Sequence, residues 1–274
     1  MSALDVLADW PVPTVAAAVV GPDGVLADHG DTGRRFALAS VTKLLVARAA
    51  QVAAEEGALD LDTEAGPPGS TVRHLLAHTA GYDMTSSKVI ARPGTRRVYS
   101  NYGFTVLAET LERATEIPFA DYLAEAVSEP LGMAATTFEG GVDAAGYGGT
   151  STVADLAVFA RELLVPALVS EPMHKQATSV AFEGLSGVLP GFGVQRPNDW
   201  GLGFEIRDGK SPHWTGSANS PRTFGHFGQS GTFLWVDPEA GLALVVLTDR
   251  KFGDWAHKVM PELSDETLRE WGPD

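Results

Sequence analysis

Residues 36–54 read FALASVTKLLVARAAQVAA, an apolar run that carries a serine and a lysine one helical turn apart. Ser40 and Lys43 are three positions apart, so on a helix their side chains share a face with Cβ atoms roughly 5–6 Å apart. The run is apolar nearly all round, which marks a helix buried inside a domain rather than laid on its surface. The spacing predicts a long helix continuing to Gly57, where a glycine after Glu55 and Glu56 provides a stop.

A lysine serving as a base near neutral pH has to fall from about 10.4 to roughly 7–8. Burial among Val41, Leu44, Leu45 and Ala47 supplies a mechanism, because a low-dielectric site disfavours the charged amine. A serine near a helix N-terminus gains from the free amides and the positive end of the dipole, which favour a developing oxyanion. The same two residues also suit a serine N-cap and a lysine reaching out to solvent. On its own, S-x-x-K does not decide between these readings.

Two further segments do. Tyr99, Ser100 and Asn101 place a phenol and a carboxamide two positions apart in a loop ahead of a helix. His226, Phe227 and Gly228 open a strand, and a glycine there lets a substrate approach the backbone closely. Serine, lysine, phenol, carboxamide and imidazole together compose a site for nucleophilic chemistry.

Around these motifs the chain alternates in a readable way. TVAAAVV (14–20), GPDG and VLADHG form an N-terminal hairpin. Helical pieces follow near 71–78, 103–115, 119–127 and 153–165, the last with Thr152 and Asp155 at capping-box spacing. No strand alternation is evident between 60 and 200. The Gly/Pro-rich stretch 184–203 is too long for a simple connection and reads as a loop lining a site. LGFEI, FGHFGQ, TFLWV and LALVVLT then read as successive strands, and an amphipathic helix closes the chain near 254–271. The expected fold is α/β (α+β): an antiparallel sheet built from both termini, with flanking helices and a mostly helical inserted subdomain. Residues 1–60 and 201–274 would form a discontinuous sheet subdomain, residues 61–200 the helical one, with the cleft between them.

Composition narrows the function. The 274 residues are 44% apolar and 20% charged with a net charge of −15, which argues against nucleic-acid binding because phosphate contacts need clustered Lys and Arg. The absence of cysteine excludes disulfides, thiol catalysis and Cys-based metal sites. MSALDVLADWPVP has neither a basic start nor an apolar core, and no stretch is long enough to span a bilayer, so a cytoplasmic location without membrane association is expected. His74 and His78 lie four apart, but Leu75 stands where a zinc protease would carry glutamate, and His78 is expected to structure the helix end. GQSG (228–231) imitates part of a nucleophile elbow, but the second glycine comes one residue early and the strand-turn-helix context is missing, leaving Ser230 as a strand residue near the site.

S-x-x-K, Y-x-N and H-x-G each occur once and in this order. The set resembles the ordered signature of the serine β-lactamase and penicillin-binding-protein superfamily, on its class C and family VIII carboxylesterase side. LASVTK, HLLAHTAGY (74–82), EPLGM (129–133), WGLGF and GHFGQSGTFLWVDPEAGLALVVLTD are similar to segments of that family, over residues 30–250. The resemblance implies a β-lactamase/transpeptidase-like fold and a serine hydrolase, foremost a carboxylesterase, working through an acyl-enzyme on Ser40 without cofactor or metal. Lys43 and Tyr99 would share the proton transfers, with the choice of base left open. The amides of Ser40 and Gln229 would form the oxyanion hole, and Asn101, His226, Phe227 and Gly228 would bind substrate. Phe227 and Trp214 are the aromatics expected to line an acyl pocket. Because His226 replaces the lysine of K-T-G, carboxylate recognition loses weight and esters and amides gain it. The partner expected is a small ester, amide or lactam. β-Lactamase, D-aminopeptidase or amidase and acyltransferase activities use the same residues, and a non-catalytic penicillin-binding-like sensor is the alternative of another class. That last reading predicts loss of Lys43 or Tyr99, and both are present.

Overall fold

The structure, a computed structural model, describes residues 2–273. In chain order its strands are β1 (Val15–Gly21), β2 (Gly24–His29), β3 (Phe36–Ala37), β4 (Thr137–Phe138), β5 (Gly149–Ser151), β6 (Gly187–Leu189), β7 (Gly193–Gln195), β8 (Glu205–Ile206), β9 (Phe224–Gly228), β10 (Thr232–Asp237) and β11 (Leu242–Thr248). Its helices are α1 (Thr42–Glu55), α2 (Val72–Leu76), α3 (Asn101–Thr115), α4 (Phe119–Leu123), α5 (Val153–Leu164), α6 (Glu171–Ala177) and α7 (Asp254–Trp271).

Six strands make one antiparallel sheet in the order β2-β1-β11-β10-β9-β8. The termini meet at its centre, where β1 pairs with β11 from Val15↔Thr248 to Val20↔Ala243. Period-two alternation sorts the side chains between two cores. Ala16, Ala18, Val20, Leu234, Val236, Ala243, Val245 and Leu247 face the larger core, which also contains the apolar residues of α1, α3 and α5. Ala17, Val19, Phe233, Trp235, Leu244 and Val246 face the smaller one, closed by α7 and the N-terminal 3-10 turn Ala3–Asp9. LALVVLT is apolar without interruption because helices cover both faces of its strand.

α1 runs through the larger core with every residue from Thr42 to Ala53 buried, as its all-round apolar character requires. Two of its long polar side chains, Gln51 and Arg48, have partners in the interior. Gln51 donates to the Leu202 carbonyl at 3.0 Å, and Arg48 lies 3.1 Å from His174 Nδ1 and 3.8 Å from Glu162. The opening segment is less uniform than its periodicity suggests. Phe36–Ala37 is a short strand, Ala39–Val41 a 3-10 turn, and the α-helix begins only at Thr42. The stretch expected to be free of strands contains β4 to β7, all of two or three residues and too short to show alternation. LGFEI contributes only Glu205–Ile206 to the sheet, and the piece near 119–127 is α4 followed by a π-helical turn, Ala124–Ser128.

Among the described residues, no helix is long and apolar enough to cross a membrane.

Candidate active site

Ser40 projects from the 3-10 turn that links β3 to α1. The residue before it, Ala39, adopts a left-handed conformation (φ 46°), strained for a residue with a Cβ and held by the packing around it. That packing comes from the β9–β10 hairpin. Ser230 in its turn donates to the Ala37 carbonyl at 2.8 Å, and Thr232 donates to the Leu38 carbonyl at 2.9 Å. A Cβ on Gly228 would stand 2.6 Å from the same Leu38 oxygen and 3.1 Å from the Ala39 Cβ. The glycine of H-F-G therefore leaves the space in which the serine turn is seated. Ser230 lies in the hairpin turn rather than in a strand, latched to Ala37.

Lys43 is fully buried one turn into the same element. Its Nζ lies 2.6 Å from Asn101 Oδ1, 2.8 Å from the Gly146 carbonyl oxygen and 3.5 Å from Ser40 Oγ. The rings of Tyr99 and Phe104 stand 4.8 and 5.3 Å from it. Burial holds its pKa well below the ordinary lysine value. An uncharged amine has two N–H groups and one lone pair. With the N–H groups donated to Asn101 and Gly146, the lone pair is left for the serine hydroxyl.

Tyr99 donates to Ser40 Oγ at 2.8 Å. Burial raises its pKa, partly countered by the serine hydrogen bond, so the group is a protonated phenol at neutral pH. Tyr99 and Lys43 therefore converge on Ser40 Oγ. Tyr99 and Asn101 flank Ser100, the N-cap of α3, whose side chain accepts from the Gly103 amide at 2.9 Å. The cap makes the chain turn sharply there, so the residues on either side of it reach into one space.

His78 holds this segment from behind. Its carbonyl accepts from the Val98 amide at 2.8 Å, its Nδ1 accepts from the Ser100 amide at 3.2 Å, and its ring lies 4.6 Å from the rings of both Tyr99 and Trp200. Burial and then Lys43 push its pKa well down, so it is a neutral wedge. The buried Arg97 guanidinium donates to the carbonyls of Asn198, Ala77, Ala181 and Phe182, tying three loops to the same strand of chain. His74 is engaged elsewhere, with Thr71 and the Phe182 ring.

On the other wall, β8 pairs only with Gly225 and Phe224, so the edge of β9 from His226 to Gly228 is not covered by it. Ser40, Tyr99, Asn101, His226, Phe227 and Gln229 share one pocket of about 200 Å³. Leu189 and Pro190 of the β6–β7 hairpin and Met84 complete its apolar rim, which places part of the 184–203 stretch at the site. A larger cleft of about 770 Å³, between residues 217–221 and the end of α7, contains none of these side chains.

Trp214 is not in this pocket. It is fully buried in the smaller core, and its Nε1 donates to Glu205 at 2.8 Å. Glu205, which reaches the pocket floor, also contacts the Lys210 amine and His213 Nε2 (2.9 Å). Burial would raise its pKa, but His213 and Lys210 outweigh that and hold it down at about 2. Sequence reasoning missed this trio, because residues 205, 210 and 213 carry no motif. It also missed Gly146, whose one signal was the glycine density of GYGGT, and the bracing roles of His78 and Arg97.

The fold and the pocket define a scaffold in which a buried lysine and a phenol converge on one serine hydroxyl. A family model described as Beta-lactamase matches residues 7–269, and the chain belongs to that family. The chain is 69% identical to the crystal structure of a beta-lactamase from Mycobacterium bovis, with 99% of this chain and 100% of that chain covered and a TM-score of 0.99. It shares its fold with EstCE1, a hydrolase with promiscuous acyltransferase activity, at 17% identity, a TM-score of 0.78 and coverage of 97% and 96% of the two chains. A 55-residue stretch is 36% identical to the D-alanyl-D-alanine-carboxypeptidase/endopeptidase AmpH of Escherichia coli (strain K12), covering 20% of this chain and 14% of that relative's length. The mixed α/β architecture with its antiparallel sheet is the one seen in these structural neighbours.

Proposed function

We propose that the protein is a serine hydrolase that forms an acyl-enzyme on Ser40, acting foremost as a carboxylesterase. The observation that carries this reading is the convergence of the Tyr99 phenol (2.8 Å) and the buried Lys43 amine (3.5 Å) on Ser40 Oγ.

In this reading Lys43 is the base. Its amine is driven toward the neutral form and the phenol of Tyr99 away from the phenolate, so at neutral pH the lone pair next to the serine belongs to the lysine. Ser40 Oγ attacks the carbonyl carbon as its proton moves to Lys43 Nζ. The oxyanion forms against the amides of Ser40 and Gln229. Tyr99 protonates the departing alkoxide or amine and recovers a proton from the Lys43 ammonium, so no net proton is gained or lost. Water then attacks the acyl-enzyme by the same path in reverse. Asn101 and the Gly146 carbonyl steady the amine in both charge states, and the uncovered edge at His226, Phe227 and Gly228 holds the substrate alongside. The M. bovis relative's name supports a second reading, β-lactam hydrolysis on the same serine.

Incubation with nitrophenyl butanoate, a chromogenic cephalosporin and a D-alanyl amide, with Ser40→Ala as control, tests the proposal. Intact mass should show one butanoyl adduct on the wild type and none on the variant. Turnover that survives Ser40→Ala refutes it. Faster cephalosporin than ester turnover selects the second reading.

A further inference from the structure

The chain contains five methionines and no cysteine, so thioethers are its only sulfur. Met133 and Met260 are 1% and 0% exposed, and Met173 is partly buried against the larger core. Met84 is 43% exposed, the one open thioether among the described residues. It also lines the pocket that contains Ser40, beside Leu189 and Pro190. The sulfur most accessible to a dissolved oxidant therefore belongs to a residue of the substrate site.

The main chain around Met84 is fixed at that place. Its carbonyl accepts from the Asn101 amide at 2.8 Å and the Tyr102 amide at 3.2 Å, the first turn of α3. The carbonyl of Asp83 accepts from the Ser100 hydroxyl at 2.7 Å. The loop is closed on itself by the Asp83 amide on the Lys88 carbonyl (2.7 Å) and the Ile90 amide on the Gly81 carbonyl (2.8 Å). These bonds tie Met84 to the segment that carries Tyr99 and Asn101, so the loop cannot carry the side chain away from the mouth when its chemistry changes.

A hydroperoxide oxidises a thioether by two-electron oxygen transfer. An S–O bond forms, the peroxide O–O bond breaks, and the peroxide is reduced to water or an alcohol. The product, a sulfoxide, is polar where the thioether was apolar. An apolar substrate lying over it would strip its water and bring no hydrogen-bond donor in return.

We propose that Met84 is a site of reversible modification by hydroperoxides, and that its sulfoxide weakens the binding of apolar esters at the Ser40 pocket while leaving the acylation machinery in place. The proposal rests on the acyl-enzyme reading of Ser40 and adds a redox control on its substrate binding.

The test treats the protein with graded hydrogen peroxide, locates added oxygen by peptide mass mapping, and measures kcat and KM for nitrophenyl butanoate, each protein referred to its own untreated values. Met84 sulfoxide should form ahead of oxidation at Met133 and Met260. KM should rise about tenfold, as an unpaired polar group under the substrate requires, with kcat within a few-fold. Methionine sulfoxide reductases A and B with dithiothreitol should restore KM, and Met84→Leu should keep its own starting KM through the same treatment. If that variant does not fold, the wild type decides alone: KM must follow the fraction of Met84 sulfoxide and return with the reductases. A KM that tracks oxidation at another methionine, a Met84→Leu protein that loses as much as wild type, or a fall in kcat and Tm at constant KM overturns the assignment. If untreated protein is acylated on Ser40 and complete oxidation of Met84 leaves KM unchanged, this inference falls and the acyl-enzyme reading stands. If nothing acylates Ser40, both fall.

Discussion

Replacing Gly228 by alanine separates two roles for the glycine of H-F-G. The new Cβ would stand 2.6 Å from the Leu38 carbonyl oxygen and 2.6 Å from Thr232 Oγ1. Thr232 cannot swing aside freely, because its hydroxyl donates to that same carbonyl. The backbone of Leu38 and Ala39 must therefore retreat, by roughly half an ångström or more, at a cost of about 1–3 kcal/mol for an overpacked contact. For a domain of this size that corresponds to a Tm lower by roughly 2–10 °C. Ser40 is two residues from the displaced carbonyl, and its reach to Tyr99 (2.8 Å) and Lys43 (3.5 Å) changes with it. A misplacement of ~1 Å in a reacting group costs on the order of a hundredfold, so a shift of half that should lower kcat about tenfold. Steady-state hydrolysis of nitrophenyl butanoate, with thermal melts on the same samples, gives both numbers. The expected pattern is a lower kcat, a lower Tm and a KM within a few-fold of wild type. A KM raised about tenfold at unchanged kcat and Tm would mean that the glycine clears space for substrate, and would refute the seating of the serine turn.

Three other perturbations follow from the same geometry. Because burial lowers the Lys43 pKa and the neutral amine is the reactive form, kcat/KM should fall as pH drops through that folded-state pKa; the raised Tyr99 pKa should keep phenol ionisation from causing a loss below about pH 10. An acid limb that persists unchanged in Lys43→Met, measured on residual turnover, contradicts the assignment. His78→Ala should reduce kcat about tenfold or more by releasing the backbone around Tyr99, whereas His74→Ala, on Thr71 and Phe182, should stay within a few-fold; equal effects would remove His78 from any positioning role. Glu205→Gln should cost about 3–5 kcal/mol at pH 7 by leaving the Lys210 cation buried without its counter-charge. The Glu205 carboxyl titrates at about 2 in the fold, below its unfolded value of about 4.3, so its contribution is complete above the higher value and fades as pH falls toward the lower. Denaturation midpoints of wild type and variant should converge over that interval, and a constant gap would contradict the ion pairing.

Much of this molecule is legible in one dimension because its determinants are local. The α1 run is apolar on every side, which already places it inside, and the unbroken LALVVLT announces a strand covered on both faces. Ser40 and Lys43 are linked by the pitch of a single turn, and Tyr99 and Asn101 by the Ser100 cap between them, so each pair survives as a spacing. The two- and three-residue strands β3 to β7 escaped notice because pairing partners, not alternation, make them strands.

What required the tertiary structure is everything whose energy depends on a neighbour from another segment. The charge state of Lys43 follows from burial beneath α3 and from two acceptors, one 58 and one 103 residues away. The tautomer of His226 follows from the Phe227 carbonyl that the strand geometry brings to its Nδ1. The role of Gly228 follows from how closely β9 approaches the serine turn, and that of Glu205 from two basic side chains on a loop with no repeat or motif. Spacing along a chain identifies which groups are available. Desolvation and hydrogen-bond direction decide which of them carries a proton, and both are properties of packing.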